Sequence, residues 1–236
     1  IIHQSSFFNT LYLFNECVRN YMAESGGNHL RHLLMKKILI ASGNHNKITE
    51  IKYALKDIPE IELLSLKYFG IKVEVTEDGD TLEKNSFKKA EEIFNIFKIP
   101  SLSDDSGLFV DAINGEPGIF SARYAGENAS YEDNCNKLLL NLENIPSEKR
   151  DAYFETVICF YINKNEYYFF KGICKGKIIS EFRGENGFGY DPLFIPDGHI
   201  KTFAEMPENE KNLISHRVNA LKEFRNFLMA NKNEYN

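Results

Sequence analysis

Basic residues are fewer than acidic residues in this chain. Its 28 lysines and arginines are outnumbered by 34 aspartates and glutamates, and the formal net charge is −6 over 236 residues. This balance disfavours nucleic acid as a partner, because nucleic-acid-binding faces neutralise phosphates with many basic side chains. Apolar runs are short as well, and none approaches the roughly 20 residues that cross a bilayer, so the sequence predicts no membrane partner.

Cysteine is also scarce. No CxxC pair and no Cys/His zinc spacing occurs among the four cysteines, which are Cys17, Cys135, Cys159 and Cys174. Scattered cysteines without a secretory signal are typical of reduced thiols inside the cell. We therefore predict a cytoplasmic protein.

The first 34 residues differ in character from the rest. They begin with Ile rather than Met, whereas Met35 is followed at once by KKILIASGN, which is typical of a natural start. We interpret 1–34 as an N-terminal extension outside the core and 35–236 as one domain. A helical lid is the alternative, because apolar residues recur there at helical spacing: Phe7, Leu11, Phe14 and Val18. A targeting peptide is disfavoured, since the segment is not rich in arginine.

Strand and helix patterns alternate through the first half of the chain and are then interrupted by a hairpin. KKILIAS predicts a buried strand and NKITEIKYALKDI a helix, while the aromatic runs DAYFETVICFYI and EYYFFKGICKGKII flank a turn at NKNE. Two capping pairs predict helix starts, Asp80 with Glu83 and Ser130 with Asp133. The order indicates a mixed α/β or α+β protein with a strongly twisted mixed sheet.

The segment SGNHNK lies between the first predicted strand and helix. Gly43 allows a tight backbone path and Asn44 can cap the helix, whose N-terminus offers free N–H groups to an anion. Lys47 adds a full positive charge. Neither a Walker loop nor a dinucleotide fingerprint is present, so the segment predicts a simple phosphate site, with an ordinary strand–helix turn as the alternative.

Two acidic clusters stand on separate segments. In SLSDDSGLFVDAI, Asp104 and Asp105 precede a predicted sharp turn at Ser106 and Gly107. Adjacent carboxylates repel each other and are costly to bury, so the pair indicates a bound cation or a proton to be taken. The second cluster contains Glu74, Glu77, Asp78, Asp80 and Glu83. Mg²⁺ is held by one or two carboxylates with waters and phosphate oxygens, and the clusters predict such a site.

Two further segments suit a nucleobase. GENGFGYDPLF carries Phe188, Tyr190 and Asp191, which can stack on a base and bind its edge; the alternative is a turn whose aromatics belong to the core. EKNLISHR places His216 and Arg217 at the start of the last predicted helix. Donors there pair with O6 of a 6-oxopurine and are left unpaired by adenine, which penalises ATP.

The chain resembles the inosine triphosphate pyrophosphatase family from Met35 to about Leu228. The resemblance rests on five segments in this order: SGNHNK, SDDSGL, GEPGIFSARYAG, GFGYDPLF and EKNLISHR. The resemblance implies a homodimeric, Mg²⁺-dependent hydrolase, with Mn²⁺ as a substitute. It also implies a long twisted mixed sheet flanked by helices, in two lobes with a cleft between them. The implied substrates are ITP, dITP and XTP, cleaved to the monophosphate and pyrophosphate.

The resemblance also implies the site residues. Asp105 is the catalytic carboxylate and a metal ligand, and Glu77 is the second ligand, with Glu74 as the alternative. The implied substrate-binding residues are Ser42, Gly43, Asn44, His45, Asn46, Lys47, Ser106, Phe188, Gly189, Tyr190, Asp191, Lys211, His216 and Arg217. This sequence departs from the family at Thr76, where many members have an acid, and at 84–86, which is KNS instead of ENA.

Two other functions are weighed against this prediction. A Maf-type pyrophosphatase acts on pyrimidine or modified nucleotides, and the Ser-His-Arg helix and the GFGYDP loop argue against it. A nucleotide-binding sensor that does not hydrolyse is disfavoured because Asp105, Lys47 and Lys211 are all present.

Overall fold

A computed structural model describes residues 37–70, 73 and 75–231. The interpretation of residues 1–34 and the alternative ligand Glu74 lie outside these described residues. The described strands are β1 Lys37–Ile40, β2 Glu62–Ser65, β3 Ser101–Val110, β4 Pro117–Gly118, β5 Asp151–Asn163, β6 Glu166–Ile178 and β7 Phe194–Pro196. The α-helices are α1 His45–Ala54, α2 Leu82–Phe97, α3 Tyr131–Asn141, α4 Glu208–Ile214 and α5 His216–Ala230.

The strands form one mixed sheet in the order β2-β1-β3-β5-β6-β7, with β4 beside β3. β1 is parallel to β2 and to β3, whereas the pairs β3–β5, β5–β6 and β6–β7 are antiparallel. The predicted mixed sheet flanked by helices is therefore confirmed, and so is the hairpin, which is β5 and β6. Among the described residues no helix combines the length and apolar character that a membrane crossing requires.

The long hairpin contributes side chains to several separate hydrophobic clusters. Phe154 near the start of β5 packs with Leu108 and Phe194, while Phe160 further along the same strand packs with Ile38 and Phe224. The candidate site lies between the first of these clusters and a further one that contains Leu66 and Ile93, since residues of both line its cavity.

The turn predicted at Ser106 and Gly107 is wrong. β3 is continuous, and these residues pair in register with Thr156 and Glu155 of β5. Glycine is needed here for close approach rather than for a turn, since a Cβ on Gly107 would lie 2.4 Å from the carbonyl oxygen of Gly118, below the usual packing distance. Strand pairing across the sheet thus overrides the local turn signal.

β3 has an open edge in the middle of the sheet. β1 pairs with it only at Ser101 and Leu102, and β4 only at Leu108 and Phe109. Within the described part of the chain, 103–107 therefore have no strand partner on that side. Asp105, Ser106 and Gly107 of this stretch line a cavity at this edge.

The two predicted helix starts have different outcomes. The capping box of Ser130 and Asp133 is confirmed, with both reciprocal hydrogen bonds present. The cap at Asp80 is wrong: α2 is capped by Thr81, whose hydroxyl accepts from the N–H of Lys84 at 3.1 Å. Asp80 instead forms an ion pair with the side chain of Lys84.

Candidate functional site

A cleft of about 470 Å³ lies along the open edge of β3. It brings together most of the predicted site residues: Ser42, Gly43, Asn44, Lys47, Glu77, Asp105, Ser106, Phe188, Gly189, Tyr190, Asp191, Lys211, His216 and Arg217. His45 and Asn46 are not among the residues that line it. Segments far apart in the sequence thus meet in one cavity.

The loop after β1 forms one end of the cleft. Asn44 caps α1, since its Oδ1 accepts from the backbone N–H of Asn46 at 3.0 Å and of Lys47 at 3.3 Å. The Nζ of Lys47 lies 3.2 Å from a carboxylate oxygen of Asp104. The capped helix start and this lysine give the end of the cleft the positive character that a phosphate requires.

Asp104 and Asp105 point to opposite faces of the sheet, as neighbours in a strand must. Asp105 faces α2, where it accepts from Nδ2 of Asn85 at 3.1 Å. Asp104 faces α1 and α5, where it accepts from Nε of Arg217 at 3.0 Å. Burial opposes ionisation of both, but Lys47 and Arg217 hold the pKa of Asp104 well below its ordinary value. For Asp105 burial outweighs Lys89 and Lys47, and its pKa is raised.

Lys89 is a residue of the site that the sequence prediction missed. Its Nζ donates to Glu77 at 2.7 Å and to the backbone oxygen of Asp104 at 2.6 Å, and lies 3.5 Å from Asp105. Burial lowers the pKa of Lys89, but the charges of Asp105 and Glu77 outweigh it and raise the pKa, so the lysine is charged. The helical spacing could have indicated Lys89, because Asn85 and Lys89 lie on the same buried face of α2 as Ala90 and Ile93.

The loop before β7 forms the other end of the cleft. The Asp191 carboxylate holds this loop in place by accepting hydrogen bonds from the backbone N–H of Phe188 at 2.8 Å and from Nζ of Lys211 at 2.6 Å. The Phe188 ring is half-buried, with the Lys211 ammonium 4.7 Å from its centre. Tyr190 belongs to the core, where its hydroxyl donates to the backbone of Ser121. Phe188 is therefore the aromatic side chain of this loop that is placed for stacking.

His216 begins α5 at the base of the cleft. Ser215 caps the helix, accepting from the N–H of Val218 at 3.3 Å. The imidazole is buried and stacks on Phe154 with the ring centres 4.7 Å apart. Burial, with Arg217 and Lys211 nearby, lowers its pKa well below the ordinary value. The ring is therefore neutral, and its buried Nδ1 has no hydrogen-bond partner among the described residues.

Arg217 is the centre of a buried ion network. Its guanidinium donates to Asp104, to Ser106 at 3.1 Å and, through Nη1, to Glu50. Glu50, also missed from the sequence, accepts in addition from Lys211 at 3.2 Å. Each nitrogen of the guanidinium thus has a protein acceptor, and the geometry favours His216 over Arg217 as the group that meets a base edge.

The sequence that forms this cleft matches a known family. The sequence model of the Ham1 family fits residues 38–227. The chain belongs to the Ham1 family. The resemblance inferred from the motifs is thereby confirmed.

Two relatives and one solved structure show how far the Ham1 likeness extends. A dITP/XTP pyrophosphatase of Thermoanaerobacter sp. (strain X514) is 45% identical over 198 residues, 84% of this chain and 99% of the relative. One of Clostridium perfringens (strain 13 / Type A) is 47% identical over 200 residues, 82% and 98% of the two chains. The Staphylococcus aureus Ham1 protein superposes with a TM-score of 0.74 at 41% identity, covering 83% and 99%.

The carboxylates of this Ham1 cleft are candidate ligands for a divalent metal ion. Across the described residues, no group of three or more His, Cys, Asp or Glu side chains is arranged to hold an ion. Glu77 and Asp105 nevertheless line the same cavity and share the ammonium of Lys89. Mg²⁺ needs only one or two protein carboxylates when substrate phosphates and waters complete its shell. The oxygen donors present therefore fit a cation that is held jointly with the substrate.

The low pKa of His216 predicts a pH-dependent stability. Its folded pKa lies below the ordinary 6.5, so the neutral ring stabilises the fold above pH 6.5. This stability is lost as the pH falls from 6.5 towards the folded pKa, by up to about 1.4 kcal/mol per pH unit. Urea titrations at pH 7.5 and 5.5 should show a smaller loss for His216→Gln than for wild type. Equal losses would contradict a buried neutral imidazole.

Proposed function

We propose that this chain hydrolyses non-standard purine nucleoside triphosphates, namely ITP, dITP and XTP, to the nucleoside monophosphate and pyrophosphate. One observation carries the proposal: a single cleft has a cationic helix start at Lys47, carboxylates at Asp105 and Glu77, and an aromatic and imidazole pocket at Phe188 and His216. These are the groups that the phosphates, the metal and the base of a nucleotide require. A relative named dITP/XTP pyrophosphatase is 45% identical to this chain over 198 residues.

The proposed reaction is a direct displacement at the α-phosphorus. Asp105 orients a water and takes its proton as the water oxygen bonds to phosphorus and the bond to the pyrophosphate oxygen breaks. Lys47 and the start of α1 bind the negative phosphate chain. Asp105 and Glu77 would hold Mg²⁺, or Mn²⁺ in its place, and the bound cation would neutralise charge on the departing pyrophosphate.

Base selection is assigned to His216. His216 lines the cleft, and its neutral imidazole can donate one hydrogen bond to O6 of hypoxanthine or xanthine. Adenine has an amino group at that position, so the donor would be buried without a partner, at a cost of about 1–3 kcal/mol. Phe188 supplies the stacking surface for the base.

The proposal includes a homodimer in the cytoplasm. Support for a second copy comes from one face of β6, where Tyr167, Phe169 and Ile173 are 44%, 42% and 39% exposed. Exposed apolar side chains grouped on one face of a strand are typical of a surface that another protein covers. Sedimentation velocity on the purified chain measures this assembly directly.

A substrate panel tests the proposed activity. Pyrophosphate release is measured with ITP, XTP, dITP, GTP, ATP and dTTP, with and without Mg²⁺. We expect release from the first three that depends on the metal, and little from ATP. Preference for dTTP would favour the Maf-type alternative, and binding without release from any of the six would favour the sensor.

Lys47→Ala is expected to raise KM for ITP by about tenfold, because a charge-assisted hydrogen bond to phosphate is lost. Inosine, which has no phosphate, should inhibit the variant and the wild type equally. Lys52→Ala is the matched control, since Lys52 is exposed on the same helix. If ITP and inosine affinities fell by the same factor, Lys47 would have a structural role instead.

A further inference from the structure

Tyr131 lines the cleft without any role in the chemistry described above. It is the first residue of α3, and its side chain is 47% exposed at the cleft. Its hydroxyl accepts from Nδ2 of Asn44 at 3.4 Å. Its ring centre lies 6.1 Å from that of Phe188, with the planes tilted by 46°. One side chain therefore touches both the loop after β1 and the loop before β7.

The position of Tyr131 is fixed by the residues around it. Ser130 and Asp133 form the capping box that starts α3. One turn on, the buried Asn134 accepts from the N–H of Ala125 at 2.7 Å and donates to the carbonyl of Ala122 at 3.2 Å. These bonds tie the start of the helix to the chain before it. The phenol is thus directed over the cleft by a rigid element rather than by a loose loop.

We propose that Tyr131 is a substrate-binding residue that covers the sugar of the bound nucleotide. The inference rests on the proposed function, which places the phosphates against Asn44 and Lys47 and the base against Phe188. A side chain in contact with both ends lies beside the part of the nucleotide that joins them, which is the sugar. The phenol oxygen accepts from Asn44, so its own proton is available to a sugar oxygen, while the ring packs against the C–H groups of the sugar.

Kinetics of Tyr131→Ala and Tyr131→Phe with ITP and dITP test this placement. We expect KM to rise about tenfold for the alanine variant and about threefold for the phenylalanine variant, with kcat within about twofold of wild type. An effect of Tyr131→Phe on ITP alone identifies the 2′-hydroxyl as the partner. An equal effect on both substrates identifies an oxygen that the two sugars share.

Tyr53→Ala and Tyr53→Phe are the matched controls, because Tyr53 is 42% exposed on α1 and does not line the cleft. The inference is overturned if both Tyr131 variants keep KM within about twofold of wild type for both substrates, as the Tyr53 variants should. A loss in kcat with unchanged KM would also overturn it, since that pattern does not come from ground-state binding.

Calorimetric binding of IMP and dIMP separates this inference from the proposed activity. If the wild type released no pyrophosphate from any triphosphate, the proposed activity would fail, whereas the sugar contact could still be measured. Weaker binding of a monophosphate to Tyr131→Ala than to wild type supports the contact. Equal binding to the two proteins rejects it.

Discussion

Asp105→Asn is expected to lower kcat for ITP by at least about 10²-fold, the lower range for loss of a general base. The amide keeps the shape of the side chain and its contact with Asn85, but it cannot take a proton from water. Pyrophosphate release under saturating ITP and Mg²⁺ gives kcat, and near-wild-type turnover would remove Asp105 from the mechanism.

Two controls make the Asp105 result specific. Asp111→Asn removes an exposed carboxylate just beyond the end of the same strand, and it should leave turnover unchanged. Thermal unfolding of Asp105→Asn should show an intact cooperative transition, so that the loss of rate is not a loss of fold.

Arg217→Ala is expected to destabilise the protein by about 3–5 kcal/mol, because it leaves buried carboxylates without their main counter-charge. Asp104 and Glu50 both accept from this guanidinium, and both are buried. The midpoint of thermal unfolding should fall by about 10 °C for a chain of this size. Arg225→Ala, a half-buried position on the same helix, is the control. A loss below about 1 kcal/mol would show that the network is not needed for stability.

A double variant separates charge from packing in that network. If the cost arises from orphaned carboxylates, Glu50→Gln added to Arg217→Ala should cost less than the sum of the two single changes. If Arg217 were a donor to O6, as the sequence predicted, its replacement by alanine would narrow the difference in activity between ITP and ATP. The structure gives Arg217 protein partners, so an equal loss of activity on both nucleotides is now the expected result.

Several features that the sequence predicted without reference to a family have local physical causes. Asn44 caps α1 by accepting hydrogen bonds from the backbone N–H groups two and three residues ahead of it. Ser130 and Asp133 exchange reciprocal hydrogen bonds within one turn. Both caps are therefore specified by short-range chemistry. The hairpin of β5 and β6 likewise follows from alternating aromatic and β-branched residues around a polar turn.

The residues that sequence missed depend on partners far away in the chain. Glu50 contacts Arg217 across 167 positions, and Lys89 reaches Asp105 across 16. A glutamate or lysine on a helix looks solvated until the fold supplies its counter-charge. The turn predicted at Ser106 failed for the same reason, since pairing with Thr156 decides the conformation there.

The alternation of side chains along β3 determines how this site tolerates a change in the length of the strand. Because side chains alternate along the strand, inserting or deleting one residue before Asp104 would exchange the environments of the two carboxylates. Asp105 would then face Arg217 instead of Asn85, and Asp104 would face Asn85 instead of Arg217. Ten consecutive pairs between β3 and β5 fix that alignment. This stretch is therefore sensitive to insertions and deletions in the gene.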